Sequence, residues 1–406
     1  MAKKKAIVIG RNYGNILATA RALGKAGYEV NVIKIFEKKP KWSSFLRSMR
    51  PDKYSRYVKE YTECLVGNRG EKLLEVLLGM AEKEKQVLFS VDDYAVYLVD
   101  TYKKELLNDY SIASIRDNDK SIAELMNKEE QKKLACEIHM PVLKSVLLQA
   151  ENGNFEIPKE VAYPCFVKPY MSIPGTKNLM RKCATRKELD KSLEQFLKKG
   201  AFKVLVEDYI EIKEEYSILG IRTNEVVCAP CVFKAKARGH KGRKGVAITG
   251  ETVDSKRFLP FIETCCNYVK ALEYNGIFDI DLAEDTDGNL YFFEINFRAG
   301  ASIHVFTQSG INLLAILADH LLEGTKIDTA RLSAKSGVTF VSEKVLLEEY
   351  VSGDVRRSKM KAYLNHADVC FIKDKEDPKP YSYFKRYYII AFAMRVLYKI
   401  RSKIRK

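Results

Sequence analysis

Asp279-Ile280-Asp281 and Glu294-Ile295-Asn296 flank the run Glu284-Asp285-Thr286-Asp287-Gly288-Asn289. Asp-Gly between two alternating apolar segments is a strong hairpin signal. With the turn at Asp287-Gly288, Thr286 faces Asn289, Asp281 faces Glu294 and Asp279 faces Asn296. Side chains alternate across a strand, so these four polar groups share one face. Phe278, Ile280, Leu282, Phe293, Ile295 and Phe297 share the other. Facing carboxylates lie about 5 Å apart at Cβ. At an effective dielectric near 20 they repel by about 3 kcal/mol. A divalent cation turns that repulsion into binding, and oxygen-only donors suit Mg²⁺. Asp279, Asp281, Glu294 and Asn296 are the candidate metal ligands on that face. A solvated hairpin face would read the same over Asp-x-Asp alone. Here the apolar opposite face demands packing, and Arg298, Gly300 and Ser302 follow at once.

The elements that must hold this hairpin read as α/β, with α+β character in the part that carries the chemistry. Residues 1 to about 120 alternate strand and helix: Ala6–Ile9, a helix over Ile16–Ala26, Glu29–Ile35, a helical stretch from Glu71, then Gln86–Ser90. This pattern predicts a parallel sheet. Gly10-x-x-x-Gly14 lacks the dinucleotide fingerprint, and no acidic residue ends the second strand, so an NAD site is not expected. A helix over Asn127–Pro141 follows, then the strand Cys165-Phe166-Val167 leading into Lys168-Pro169. Next come a helix over Arg186–Lys199, the apolar strand Lys203–Val206, and a strand starting at Glu215. Phe233–Gly250, rich in Lys, Arg and Gly, reads as a mobile cationic loop that handles phosphate; it lacks the interleaved aromatics of a nucleic-acid surface. Asn312–Leu322 is an apolar helix, and Asp374–Tyr381 links a smaller C-terminal part to a last helix.

The chain of 406 residues is long enough for two or three packed units. Met1-Ala2-Lys3-Lys4-Lys5 runs straight into a strand too short for a signal-peptide core. No segment reaches the roughly 18 apolar residues of a membrane span. Nine scattered cysteines fit a reducing cytoplasm, and Cys228-Ala229-Pro230-Cys231 lies inside an expected strand rather than in a zinc pattern. The net charge of +16 calls for an anionic partner.

Taken in order, these pieces resemble the ATP-grasp superfamily. The residues that carry the resemblance are Lys128; Val167-Lys168-Pro169; Leu205-Val206-Glu207-Asp208-Tyr209-Ile210; Glu215-Tyr216-Ser217; Asp281; and Glu294-Ile295-Asn296-Phe297-Arg298. The resemblance implies an ATP-grasp fold with a Rossmann-like pre-ATP-grasp domain over residues 1–120. Two ATP-grasp subdomains follow over 121–205 and 206–330, the second with the metal site, and a basic appendage over 331–406. It implies ATP as cofactor with two Mg²⁺ ions, replaceable by Mn²⁺, on Asp281, Glu294 and Asn296. Lys128 and Lys168 correspond to the lysines that reach the phosphates. Glu207 to Ile210 correspond to the linker that meets the adenine edge, and Glu215 to the ribose acceptor. Arg298 corresponds to the cation that stabilises the acyl-phosphate and the tetrahedral intermediate, so Arg298 and Lys168 are the expected catalytic residues. Many members have a glycine-rich phosphate loop; here it corresponds to Tyr170-Met171-Ser172-Ile173-Pro174-Gly175-Thr176-Lys177, which has one glycine and offers Lys177 as its expected phosphate contact.

The segment from Glu294 to Ser302, with Ser309-Gly310-Ile311-Asn312-Leu313, looks most like the carboxylate–amine ligase branch and loosely like D-aspartate ligases. That implies small-molecule carboxylate and amine substrates, no nucleic acid, and an amino acid or cell-envelope precursor among the candidates. Other readings stay open: phosphoryl transfer to a different acceptor, or a non-catalytic membrane- or polyanion-binding protein on this core. The tail Tyr383–Lys406 mixes apolar and aromatic residues with Lys385, Arg386, Arg395, Lys399, Arg401, Lys403, Arg405 and Lys406. It suits either an interfacial helix on the anionic inner face of a membrane or a helix packed on the protein. The oligomeric state stays open, a dimer included.

Overall fold

Three sheets carry the chain in the computed structural model, which describes residues 3–37, 49–67, 70–116, 120–170, 179–239 and 246–404. The first sheet is parallel, with β1 (Lys5–Gly10), β2 (Glu29–Phe36), β3 (Val58–Leu65), β4 (Gln86–Ser90) and β5 (Tyr110–Ile112) in the order β3-β2-β1-β4-β5. β1 is apolar at consecutive positions because both of its faces are covered: Ala6 and Val8 enter one core, Ile7 and Ile9 another. The order reverses between β1 and β4, so the loops after them diverge and leave a crevice at the strands' carboxyl ends. β6 (Ser114–Arg116) leaves this sheet for the largest one.

The second sheet is antiparallel: β7 (Ser145–Glu151), β8 (Asn154–Phe155), β9 (Cys165–Pro169), β10 (Arg181–Cys183) and β11 (Lys203–Asp208), in the order β10-β9-β11-β7-β8. Helix Arg186–Lys198 lays Leu189, Leu193 and Phe196 on it. β11 runs on through Glu207 and Asp208, so the chain passes between sheets at residues 209–211 rather than after residue 205.

The third sheet contains β12 (Ile212–Arg222), β13 (Val227–Arg238), β14 (Ala247–Val253), β15 (Tyr274–Asp285), β16 (Leu290–Asn296), β17 (Thr339–Val341) and β18 (Val369–Cys370), with β6 on β15. Two expectations are corrected here. β12 starts at Ile212, not Glu215, and most of the described part of Phe233–Gly250 is strand rather than loop. Lys234 and Lys236 are accommodated in a strand by pairing with Glu214 and Glu251, each at 2.6 Å. Residues 240–245, the centre of the basic run, lie outside the described residues.

Helix Leu313–Glu323 is sandwiched between the first and third sheets, where Leu313, Leu314, Leu317 and Ala318 share a core with Val8, Leu219 and Ile221. The residues after 330 extend the third sheet through β17 and then cross back to the first layer. There Asp377, fully buried, accepts from Arg21 Nε at 2.9 Å, Ser55 Oγ at 2.7 Å and the Arg56 amide at 2.9 Å. A buried charge is tolerable when every partner is supplied in this way. The last helix begins at Pro378, earlier than expected, and is rooted by buried Phe384 and by Tyr383 stacked on Tyr54 at 4.4 Å.

Candidate active site

The acidic hairpin forms with the expected pairs where chemistry is expected: Asp281 faces Glu294 and Asp279 faces Asn296. Nearer the turn the register shifts by one, so Leu282 faces Phe292 and Glu284 faces Leu290. The loop holds three residues, not two. Gly288 closes it at φ +89°, and the Asp285 side chain accepts the Asp287 and Asn289 amides, both at 2.9 Å. Phe293 becomes a bulge residue, and Phe292 takes its expected place in the dry core with Phe278, Ile280, Ile295 and Phe297. The bulge ends before Glu294, which leaves the acidic pairs in register.

Asp281 accepts from Ser217 Oγ at 2.9 Å and from Asn296 Nδ2 at 3.2 Å. Burial, then the facing Glu294, raises its pKa. Glu294 pairs with the ammonium of Lys128. A cation therefore already sits on the hairpin, as the donor chemistry requires. Among the described residues no group of three or more His, Cys, Asp or Glu side chains could hold a metal ion unaided. Two carboxylates and one amide fit a hard cation that completes its shell with water or phosphate oxygens, as Mg²⁺ does.

Lys168 is buried on β9 and contacts Glu207 Oε1 at 2.7 Å across to β11. A residue not anticipated from sequence, Lys132, contacts the same oxygen. Lys128 and Lys132 lie one turn apart on helix Lys128–Glu137 and so share a face. Asn127 caps this helix by accepting the Glu129 amide. Buried Gln131 fixes it to β16, accepting the Ile295 amide at 3.1 Å and donating to the Ile295 carbonyl at 3.2 Å. Burial and then neighbouring lysines push Lys168 well below the ordinary lysine range, and burial with Lys128 brings Lys132 to about 8. A small hollow of about 10 Å³ lies beside Glu207 and Asp208, lined also by Lys144, Val146, Cys165 and Val206. Tyr209 and Ile210 continue from it, and Lys182 lies 3.9 Å over the Tyr209 ring. Glu215 pairs with Arg238, a second unanticipated residue, and burial raises the Glu215 pKa.

Arg298 reaches from the hairpin to the crevice of the first sheet. It donates to Asn296 Oδ1 at 3.1 Å and to Asp93 Oδ1 at 3.0 Å. Asp279 lies beneath, buried, its Oδ1 without a hydrogen-bond partner. A Cβ on Gly300 would stand 2.1 Å from Asp279 Oδ2, so only glycine fits beside that carboxylate. Burial and then Asp281 raise the Asp279 pKa. Lys177 lies outside the described residues. His304 is buried and away from this cluster, and Cys228 and Cys231 sit in β13 as free thiols.

Residues 127–330 match the family model "Carbamoyl-phosphate synthase L chain, ATP binding domain". The carbamoyl phosphate synthase large chain of Sulfurisphaera tokodaii is 22% identical over 209 residues, 50% of this chain and 20% of that one. The chain thus spans a small part of that relative's length. Among solved structures, the biotin carboxylase domain of Hydrogenobacter thermophilus 2-oxoglutarate carboxylase, in complex with MgADP, aligns with a TM-score of 0.63 at 16% identity. That alignment covers 84% of this chain and 74% of that one. The L-amino acid ligase of Bacillus licheniformis aligns with a TM-score of 0.59 at 14% identity, covering 84% and 79%. These likenesses establish a shared fold.

Proposed function

The chain belongs to the family of the carbamoyl-phosphate synthase L chain ATP-binding domain, within the ATP-grasp superfamily, and on that premise we propose that it is an ATP-dependent carboxylate–amine ligase. The observation that carries the reading is the convergence of two cationic helix residues and a strand lysine on two acids. Lys128 meets Glu294, and Lys132 and Lys168 meet Glu207, at the border of two sheets. Each of these ion pairs marks a place where a polyanion and its cation can exchange with the protein's own charges.

In this reading Asp281, Glu294 and Asn296 would hold two Mg²⁺ ions, or Mn²⁺, which would supply charge neutralisation on the nucleotide phosphates. Lys128 and Lys168 turn from their acids to the phosphates as compact point charges. The backbone of Glu207, Asp208, Tyr209 and Ile210 meets the adenine edge, and Glu215, released by Arg238, accepts from the ribose hydroxyls. A substrate carboxylate oxygen attacks the γ-phosphorus, the bond to the bridging oxygen breaks and ADP leaves. An amine nitrogen then adds to the acyl carbon. The carbon–oxygen bond to phosphate breaks, and the nitrogen's proton passes to phosphate or water. Arg298 stabilises both oxyanions with a planar guanidinium, held in place by Asp93. Among candidate substrates are amino acids and cell-envelope precursors.

The last helix supports a location at an anionic membrane surface. Ile389, Ile390, Ala393, Val396 and Leu397 are all exposed at one-stripe spacing, and residues 378–406 include no acidic residue. No helix among the described residues is long and apolar enough to cross a membrane.

Calorimetric titration with ATP tests the nucleotide site: binding that requires Mg²⁺ and weakens at least about tenfold in Glu294→Gln is expected. Binding that ignores Mg²⁺ would overturn it.

A further inference from the structure

Glu207 is a buried carboxylate with two buried ammonium partners on one oxygen, Lys168 from β9 and Lys132 from helix Lys128–Glu137. One cation is enough to balance one carboxylate, so the second invites a reason. Burying an extra charge is costly, and both lysines are pushed below their ordinary range. The two lysines differ in how they are held. Lys132 also donates to the Leu143 carbonyl at 3.4 Å, and its helix is fixed to β16 through Gln131. Lys168 is the penultimate residue of β9, and among the described residues Glu207 is its one ion-pair partner.

We propose that Lys132 is a positioning residue: the standing counter-ion of Glu207, which lets Lys168 leave that carboxylate for the nucleotide phosphates. The inference rests on the reading of Lys168 as a phosphate-binding lysine. Without Lys132, moving Lys168 to the nucleotide would strand Glu207 as a buried, unpaired charge, a strongly unfavourable state. With Lys132 in place the carboxylate keeps a partner throughout. The exchange then costs Glu207 one hydrogen bond and no counter-charge. The same helix carries Lys128 to Glu294, so a single rigid element answers for acids of both the second and the third sheet.

The test is ATP binding by calorimetry, with steady-state ADP release alongside, for the wild type, Lys132→Met, Lys132→Arg, Glu207→Gln and the Lys132→Met/Glu207→Gln double variant. The expected result for Lys132→Met is an ATP affinity and KM worse by at least about tenfold, with kcat at saturating ATP within about threefold. Arg at position 132 should restore most of the affinity. Removing the Glu207 charge should relieve the Lys132→Met defect, because no carboxylate is then left unpaired, and the double-mutant cycle should show coupling. Lys132→Met with wild-type affinity, or a loss that Glu207→Gln does not relieve, overturns the inference. Should Lys132→Met fold poorly, Lys132→Arg and the double variant decide by the same criteria. A wild type that binds no ATP contradicts the ligase reading itself, whereas wild-type binding with an indifferent Lys132→Met overturns the counter-ion role alone.

Discussion

Glu294 is paired with Lys128 before any nucleotide arrives, and that pairing sets what its replacement should do. Glu294→Gln removes one negative ligand and leaves Lys128 without its carboxylate. ADP release should fall by at least about 100-fold, since charge neutralisation on the transferring phosphoryl group is most of the catalysis available. The fold should survive, because Glu294 is only part-buried. Gly300 makes a different prediction. Its absent Cβ is what lets the Asp279 carboxylate lie against the chain. Gly300→Ala should destabilise by about 1–3 kcal/mol through overpacking, read as a lower urea midpoint with an unchanged slope. At this scale the sequence disclosed the hairpin acids, since Asp-Gly and strict alternation dictate which side chains face each other. Lys132, Gln131 and Asp93 stayed hidden because their partners lie 75, 164 and 205 residues away, a distance no local pattern spans.

Elements decide which of these residues meet. Helix Ile303–Gln308 carries His304 into a dry site beside Arg21 and Phe371, where burial lowers its pKa from 6.5 to about 3. Between those values the unfolded chain binds a proton that the folded chain excludes, so stability rises with pH across the window and is lost on acidification. The loss from this group should reach about 2 kcal/mol at pH 5, and His304→Gln should flatten the slope of stability against pH in that range. The last helix yields a second test at this scale. Truncation after Arg386 keeps Phe384 and Tyr383 in their contacts with the body. It should abolish flotation with anionic vesicles while leaving the melting temperature unchanged; equal flotation of both chains would contradict the membrane location. Strands of apolar character were legible from sequence. The second half of β13 was not, because its lysines and arginine read as a phosphate-handling loop until Glu214, Glu251 and Glu215 on neighbouring strands pair with them. The three-residue loop of the hairpin was likewise masked: an Asp285 side chain that closes a turn looks the same in sequence as one that does not.

For the whole molecule, ion pairs that a ligand must exchange join separate sheets at the candidate site. Lys128 meets the third sheet at Glu294, Lys132 and Lys168 meet the second at Glu207, and Arg298 meets the first-layer helix Asp93–Thr101. MgATP should therefore stabilise the protein as a unit, by about 2.7 kcal/mol when present at a hundredfold over Kd. The order of the motifs along the chain made the fold legible. The acid to be activated and the amine that accepts it were not, because no motif spacing identifies the residues that would meet them. The central claim is that this chain spends ATP to join a carboxylate to an amine. Its most direct test is ADP release measured across carboxylates, each with and without amine partners, with the amide product quantified beside it. The account predicts Mg²⁺-dependent ADP release that requires a carboxylate and yields amide in equal amount when the amine is present. ADP formed with a phosphorylated acceptor and no amide would contradict it.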